Sequence, residues 1–121
     1  MRIYNLQGTT DAAGDATVTA ATDRGLPQLL YAVEWVDGDL ADGVDAVLSV
    51  TGNLSGVDHT ILTLTNANDD AWYYPREIEQ DNTGTDLSTY TLPVISDTLQ
   101  LVISSGGDTK TGGAIIYALE V

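Results

Sequence analysis

Four aspartates lie close together in the segment VDGDLADGVDA, with the spacing D-x-D-x-x-D-x-x-D. They are Asp37, Asp39, Asp42 and Asp45, and no basic residue lies between them. A calcium loop of the EF-hand kind needs oxygens at alternate positions, a glycine at the sixth position and a bidentate acid at the twelfth. Here the fifth position is Ala41 and the glycine comes seventh. We therefore interpret the segment as a polar turn whose carboxylates bond to backbone amides, and leave calcium binding open.

The patterns typical of catalytic sites are incomplete. The single histidine, His59, follows Asp58, but no G-x-S-x-G or other nucleophile motif accompanies it. A glycosidase needs two acids at a set separation across a cleft, whereas the acids here are spread over the turns. A hydrogen-bonded, structural His59 is the favoured interpretation. We expect no catalytic, cofactor-binding or metal-binding residues and no enzyme activity.

The segment AWYYPRE combines three aromatic side chains with one of the four cations of the chain. Tyr and Trp offer wide contact area at low entropic cost, and Arg adds a hydrogen-bonding fork, a composition typical of interface hot spots. An edge strand that ends at Pro75, with alternate rings packed inward and Arg76 paired to a nearby acid, is the favoured alternative. The candidate interface residues are Trp72, Tyr73, Tyr74 and Arg76.

The elements that must position these residues are short apolar runs separated by Gly, Asp, Asn and Thr clusters. This pattern predicts an all-β fold, a single-domain β-sandwich or jelly roll of about eight antiparallel strands spanning residues 1–121. The N-terminal segment 1–14 is a candidate extended arm. Candidate strands are Arg2 to Leu6, Ala16 to Ala21, Leu29 to Val36, Ala46 to Thr51, Thr60 to Thr65, Ala71 to Arg76, Ser88 to Leu92, Thr98 to Ser104 and Gly113 to Leu119.

Strict alternation along these strands predicts which side chains enter the core. In LLYAVEWV, the favoured core face is Leu29, Tyr31, Val33 and Trp35. In TLQLVISS the apolar stripe is Leu99, Leu101 and Ile103, and in GAIIYALEV it is Ile115, Tyr117, Leu119 and Val121.

Composition narrows the classes of partner. Cysteine is absent, and four basic residues stand against eighteen acidic ones, for a formal charge of -14. Such a field repels nucleic-acid phosphates and anionic lipids, so we expect neither nucleic-acid nor membrane binding. No apolar run is long enough for a membrane span and no signal peptide is indicated, so the sequon Asn53-Leu54-Ser55 is expected to be idle.

Three segments resemble a group of small structural proteins of tailed bacteriophages. They are YAVEWVDGDLADGVDAVLSV, HTILTLTNANDDAWYYPRE and SSGGDTKTGGAIIY. The resemblance implies a non-enzymatic virion component on the capsid exterior, a decoration or cement protein that binds the major capsid protein and stabilises the head. It also suggests a homo-oligomer, a trimer or another cyclic assembly. A position at the head-to-tail junction or in the tail is an alternative, and so is a carbohydrate- or receptor-binding module of the tail or capsid. An enzyme acting on surface polysaccharide is the third alternative.

Overall fold

The computed structural model describes residues 1–52 and 56–120, and over these ranges the chain is all-β with every strand pairing antiparallel. A single 3₁₀ turn spans Asp23–Gly25, and the described ranges hold no helix long and apolar enough to cross a membrane. The sequon at Asn53-Leu54-Ser55 and the C-terminal Val121 lie outside the described residues. The eleven strands are β1 Arg2–Thr9, β2 Ala16–Ala21, β3 Gln28–Val36, β4 Asp45–Thr51, β5 His59–Leu64, β6 Ala71–Tyr73, β7 Glu77–Gln80, β8 Asp86–Thr91, β9 Val94–Ile95, β10 Thr98–Ser104 and β11 Thr111–Glu120.

The strands form two larger sheets and a separate hairpin. The first sheet has the order β1-β11-β3-β6, with β9 also paired to β3, and the second has the order β2-β10-β4-β5. Strands β7 and β8 pair only with each other. The described residues therefore form eleven strands rather than about eight. The sequence pattern missed β7, which is short and acidic, and β9, which has two residues.

The two larger sheets share one core. Inward side chains of both sheets form a single buried cluster, which includes Trp35 and Ile116 from the first sheet and Leu48 from the second. The indole Nε1 of Trp35 donates a hydrogen bond of 2.9 Å to the buried carbonyl oxygen of Ala67. The predicted stripe of Leu99, Leu101 and Ile103 is confirmed as part of this core.

The alternation predicted for β3 is wrong at its first half. Tyr117 pairs with Ala32 but Ala118 pairs with Leu30, so Tyr31 is an extra residue at a register shift. Such a β-bulge exchanges inward and outward positions on its two sides. Leu30 is consequently buried in the core, while Tyr31 is exposed at 42 % on the opposite face of the sheet.

The apolar stripe predicted to be buried on β11 faces away from the core. The small residues Ala114 and Ala118, with Ile116 between them, are buried in the core, and Ile115, Tyr117 and Leu119 are only partly buried. Ala114 pairs directly with Trp35, so a methyl group stands opposite the largest side chain of the core. The larger side chains of β11 therefore occupy the outer face of the first sheet.

The N-terminal segment 1–14, a candidate extended arm, is folded into the domain. Residues 2–9 pair with β11 along the whole of β1, without a register shift. The hydroxyl of Tyr4 donates to Gln28 Oε1 at 2.8 Å and accepts from the backbone N–H of Asp23 at 3.0 Å. The buried Thr10 donates from Oγ1 to the carbonyl of Gly107 and accepts from the N–H of Lys110. Residues 2–10 therefore contact other parts of the same chain.

Candidate functional site

The outer face of the first sheet carries a group of partly exposed aromatic and aliphatic side chains. Most of them alternate with core residues on β1, β3, β6 or β11 and so point away from the core, whereas Tyr31 points outward at the bulge and Tyr74 directly follows β6. We call this surface the aromatic face and define it by Ile3, Tyr31, Glu34, Trp72, Tyr74, Ile115 and Tyr117, with Arg76 at its margin.

The rings of the aromatic face contact one another in pairs. Trp72 and Tyr117 lie 5.2 Å apart between ring centroids with an interplanar angle of 34°, and Tyr31 meets Tyr74 edge-on at 6.2 Å. Aromatic pairs prefer tilted, offset or edge-to-face contacts over a face-to-face sandwich, so each pair holds its two rings in a defined orientation. Trp72 is nevertheless 50 % exposed and Tyr74 55 % exposed. The face is thus an ordered apolar surface that is open to solvent.

Arg76 is held by backbone carbonyls instead of by an acid. Its Nη1 donates to the carbonyl oxygens of Pro75 at 2.7 Å and Tyr31 at 3.2 Å, and its guanidinium carbon lies 6.0 Å from the centroid of the Tyr31 ring. The predicted pairing of Arg76 with a nearby acid is wrong, since no carboxylate of residues 1–52 and 56–120 forms an ion pair with it. The side chain is positioned, and its charge stays unpaired within this part of the chain.

Glu34 is the one carboxylate within the aromatic face. Its Oε1 accepts a hydrogen bond of 3.0 Å from the hydroxyl of Tyr117, a residue on the neighbouring strand. That hydrogen bond raises the pKa of Tyr117, with desolvation and the negative charge of Glu34 acting in the same direction. The face therefore combines one cation and one anion with apolar rings.

The predicted interface residues separate onto two sides of the sheet. Trp72, Tyr74 and Arg76 lie on the aromatic face, whereas Tyr73 is partly buried and packs against the core. Sequence reasoning missed Tyr31 and Tyr117, because strict alternation assigned both to the core. The signal that would have found Tyr117 is the pair Ala114 and Ala118, which share the other side of β11. Their small side chains suit core positions opposite a large residue such as Trp35.

The aspartate segment connects β3 to β4 as a set of turns. The carboxylate of Asp39 accepts from the backbone N–H of Thr111 at 2.6 Å, and that of Asp45 accepts from the N–H of Asn66 at 3.0 Å. Gly38 has a φ of +58°, and a Cβ there would lie 2.1 Å from the carbonyl oxygen of Thr111. These contacts agree with the polar-turn interpretation, and no group of three or more acidic or histidine side chains in the described part of the chain is placed to hold a metal ion.

Asp37 is the one residue of that segment with a buried, unsatisfied carboxylate oxygen among the described residues. This oxygen is Oδ1. Burial raises the pKa of Asp37, and the negative charges of Asp70, Asp42 and Asp69 raise it further. The backbone N–H of Asp37 donates to Asp70 at 2.8 Å, which holds these two acids together. Asp37 therefore lowers the stability of the domain when it is ionised.

His59 and Arg2 each lie close to carboxylates from other elements of the fold. His59 Nε2 lies 3.0 Å from Glu77 Oε1 and connects the start of β5 to the start of β7. A surface depression is lined by Arg2, Asp23 and Glu120, among others, and Arg2 forms ion pairs with both acids across it. These charged groups therefore pair with one another.

Comparison with known proteins adds no family to this description. No family model matches the chain, and searches of curated proteins and of solved structures find no significant match.

Proposed function

We propose that the two larger sheets form a β-sandwich with jelly-roll connectivity. Eight strands make up the two sheet orders β1-β11-β3-β6 and β2-β10-β4-β5. Every step between consecutive strands of these eight crosses from one sheet to the other, except the step from β4 to β5. Two nested Greek keys give this order, and jelly rolls of eight strands are common in capsid and lectin domains. On this proposal, β7, β8 and β9 are an insertion between the sixth and seventh strands of the roll.

We propose that the protein is a non-enzymatic structural component of a tailed-phage virion, which decorates the capsid exterior, binds the major capsid protein and stabilises the head. The aromatic face carries this proposal, because an ordered apolar surface left open to solvent is typical of a protein–protein interface. The resemblance of the three quoted segments to phage structural proteins supports the choice of a virion.

The charge distribution is consistent with a position on the outside of a particle. A formal charge of -14 disfavours contact with the packaged genome and keeps particles dispersed. Stabilisation follows from linkage, because a protein that binds the assembled shell and not its separated subunits shifts the equilibrium toward the shell. Many identical copies would multiply this effect over the lattice.

Rebinding to stripped particles tests the proposal. Heads from which the protein has been removed are incubated with the purified chain or with the variant Trp72→Ser, and heat-induced genome release is then measured. We expect the wild-type chain to raise the release temperature and Trp72→Ser to raise it less. The matched control is Tyr90→Ser, since Tyr90 lies on the β7–β8 hairpin and is 63 % exposed. A wild-type chain that binds no site on the particle, or that binds the tail alone, would contradict the capsid assignment.

A carbohydrate-binding module is the second candidate function. The half-exposed rings of Trp72 and Tyr74 on one face, beside the hydrogen-bonding groups of Glu34 and Arg76, are the kind of surface on which a sugar ring stacks. A glycan array read with the wild-type chain and with Tyr74→Ser tests it. Glycan binding that Tyr74→Ser abolishes would favour this function, and an array without signal would remove it.

A further inference from the structure

We propose that a second copy of this chain covers the aromatic face, and that in the resulting two-fold dimer Arg76 of each copy binds Glu34 of the other. The inference rests on the proposed function only in taking the aromatic face as an interface. The proposed function uses the aromatic face as evidence of a protein–protein interface, and this inference assigns its occupant to a second copy of the chain, so that the dimer would bind the capsid through other surfaces.

The charge of the face favours contact between two copies. Although the chain has a formal charge of -14, the aromatic face as defined includes one acid, Glu34, and one base, Arg76, and at the edge of the sheet Arg2 pairs with Asp23 and Glu120. Two copies meeting through the aspartate turns would place like charges against each other. Two copies meeting through the aromatic face bring together one cation and one anion from each, so the contact adds no net charge at its centre.

Part of the Arg76 guanidinium can bind a carboxylate of another molecule. Both of its described hydrogen bonds are made by Nη1, to the carbonyls of Tyr31 and Pro75. The Nε and Nη2 side of the guanidinium therefore keeps the parallel N–H groups that bind a carboxylate in a bidentate manner. Fixing Nη1 to the backbone lowers the entropic cost of that contact.

Glu34 can supply the carboxylate under two-fold symmetry. Its Oε1 accepts from Tyr117, and its Oε2 has no hydrogen bond within the described residues. A two-fold axis that lies in the interface, midway between Arg76 and Glu34 and perpendicular to the line joining them, exchanges the two positions. Both Arg76–Glu34 pairs then form together, which is the self-complementarity that an isologous dimer requires.

The apolar area of the face fits a weak dimer. A fully buried aromatic side chain covers roughly 150–250 Å², so the exposed halves of Tyr31, Trp72 and Tyr74 offer about 300 Å² per copy. Specific interfaces bury roughly 800 Å² per partner. Neighbours on the same side of the sheet, such as Ile3 at 61 % exposed and Val94 at 55 % exposed, extend the surface toward that size. We therefore expect a dissociation constant on the order of micromolar to millimolar.

Sedimentation velocity of the full chain, from about 1 μM to about 1 mM, tests the dimer. We expect a concentration-dependent monomer–dimer equilibrium. Because symmetry places every substitution in the interface twice, Arg76→Glu and Glu34→Arg should each weaken dimerisation about tenfold or more. The double variant Arg76→Glu/Glu34→Arg exchanges the charges and should restore the wild-type constant to within about threefold. Tyr90→Ser on the hairpin serves as the control and should leave the constant unchanged.

Several outcomes would overturn the proposal. They are a chain that stays monomeric up to about 1 mM, a trimer, a dimer that neither single charge exchange weakens, and a double variant that folds by circular dichroism without regaining the dimer. The head-stability assay separates this proposal from the proposed function. A monomer that still raises the release temperature would refute the dimer alone, and a dimer that does not bind heads would refute the function alone.

Discussion

The two tryptophans of the chain provide a matched test of how the structure divides core from surface. Trp35 is fully buried and Trp72 is 50 % exposed, so the same substitution to phenylalanine should have very different effects on the free energy of unfolding. We expect Trp35→Phe to destabilise the domain by about 2–4 kcal/mol and Trp72→Phe to stay within about 0.5 kcal/mol of the wild type.

The magnitude for Trp35 follows from two losses. Phenylalanine has no N–H to replace the 2.9 Å hydrogen bond to Ala67, and leaving that buried carbonyl without a partner costs about 1–3 kcal/mol. The smaller ring also leaves a void against Ala114 and its neighbours, which adds about 1 kcal/mol at roughly 24 cal/mol per Å³ of cavity. A domain of ordinary stability retains its fold after this loss, because unfolding free energies are about 5–15 kcal/mol.

Urea unfolding followed by far-ultraviolet circular dichroism measures both variants with one signal. Equal slopes of free energy against urea concentration would show that the substitutions change stability and not the extent of unfolding. If Trp35→Phe costs no more than Trp72→Phe, Trp35 is not the buried anchor described above, and the inside–outside assignment of the first sheet is refuted.

Three further substitutions test other parts of the structure. Asp37→Asn should raise the melting temperature near pH 7 and leave it unchanged near pH 3. Burial and nearby acids raise the pKa of Asp37 above the unfolded value of 3.8, so the native state binds more protons than the unfolded state. Wild-type stability therefore falls as the pH rises from the unfolded pKa through the folded pKa. A melting temperature that shifts equally at both pH values would contradict this. Gly38→Ala should destabilise the domain by about 2 kcal/mol or more, because a Cβ at φ +58° meets a backbone oxygen. The control Gly25→Ala, at φ +68° with open space around it, should cost about 1–2 kcal/mol. Equal losses of stability in thermal unfolding would refute the close contact at Gly38. Asp81→Ala should speed backbone amide hydrogen exchange within residues 77–91 without affecting the core strands. The reason is that Asp81 Oδ1 accepts three hydrogen bonds from Thr83 and Thr85 at the hairpin tip. Unchanged exchange in these residues would show that the three bonds do not order the hairpin.

Sequence periodicity predicts the secondary structure here better than it predicts which side of a strand is buried. The turn clusters and apolar runs identify nine of the eleven strands and the all-β class. Periodicity assumes an uninterrupted register, however, and the bulge at Tyr31 depends on the pairing of β3 with β11, which lies far away in the chain. The composition of AWYYPRE predicts an interface segment, but the partners of its rings, Tyr31 and Tyr117, become its neighbours only in the folded sheet.

The choice of the aromatic face over other exposed apolar residues depends on charge as well as on area. The β7–β8 hairpin also exposes Ile78, Leu87 and Tyr90, but its residues 77–91 include four acids and no base. A second acidic chain would be repelled there, and a partner would need a basic surface. On the aromatic face the rings contact one another, and the single acid and the single base balance. An apolar surface with this balance can bind a copy of itself, so the bulge that moves Tyr31 out of the core also helps to create the proposed interface.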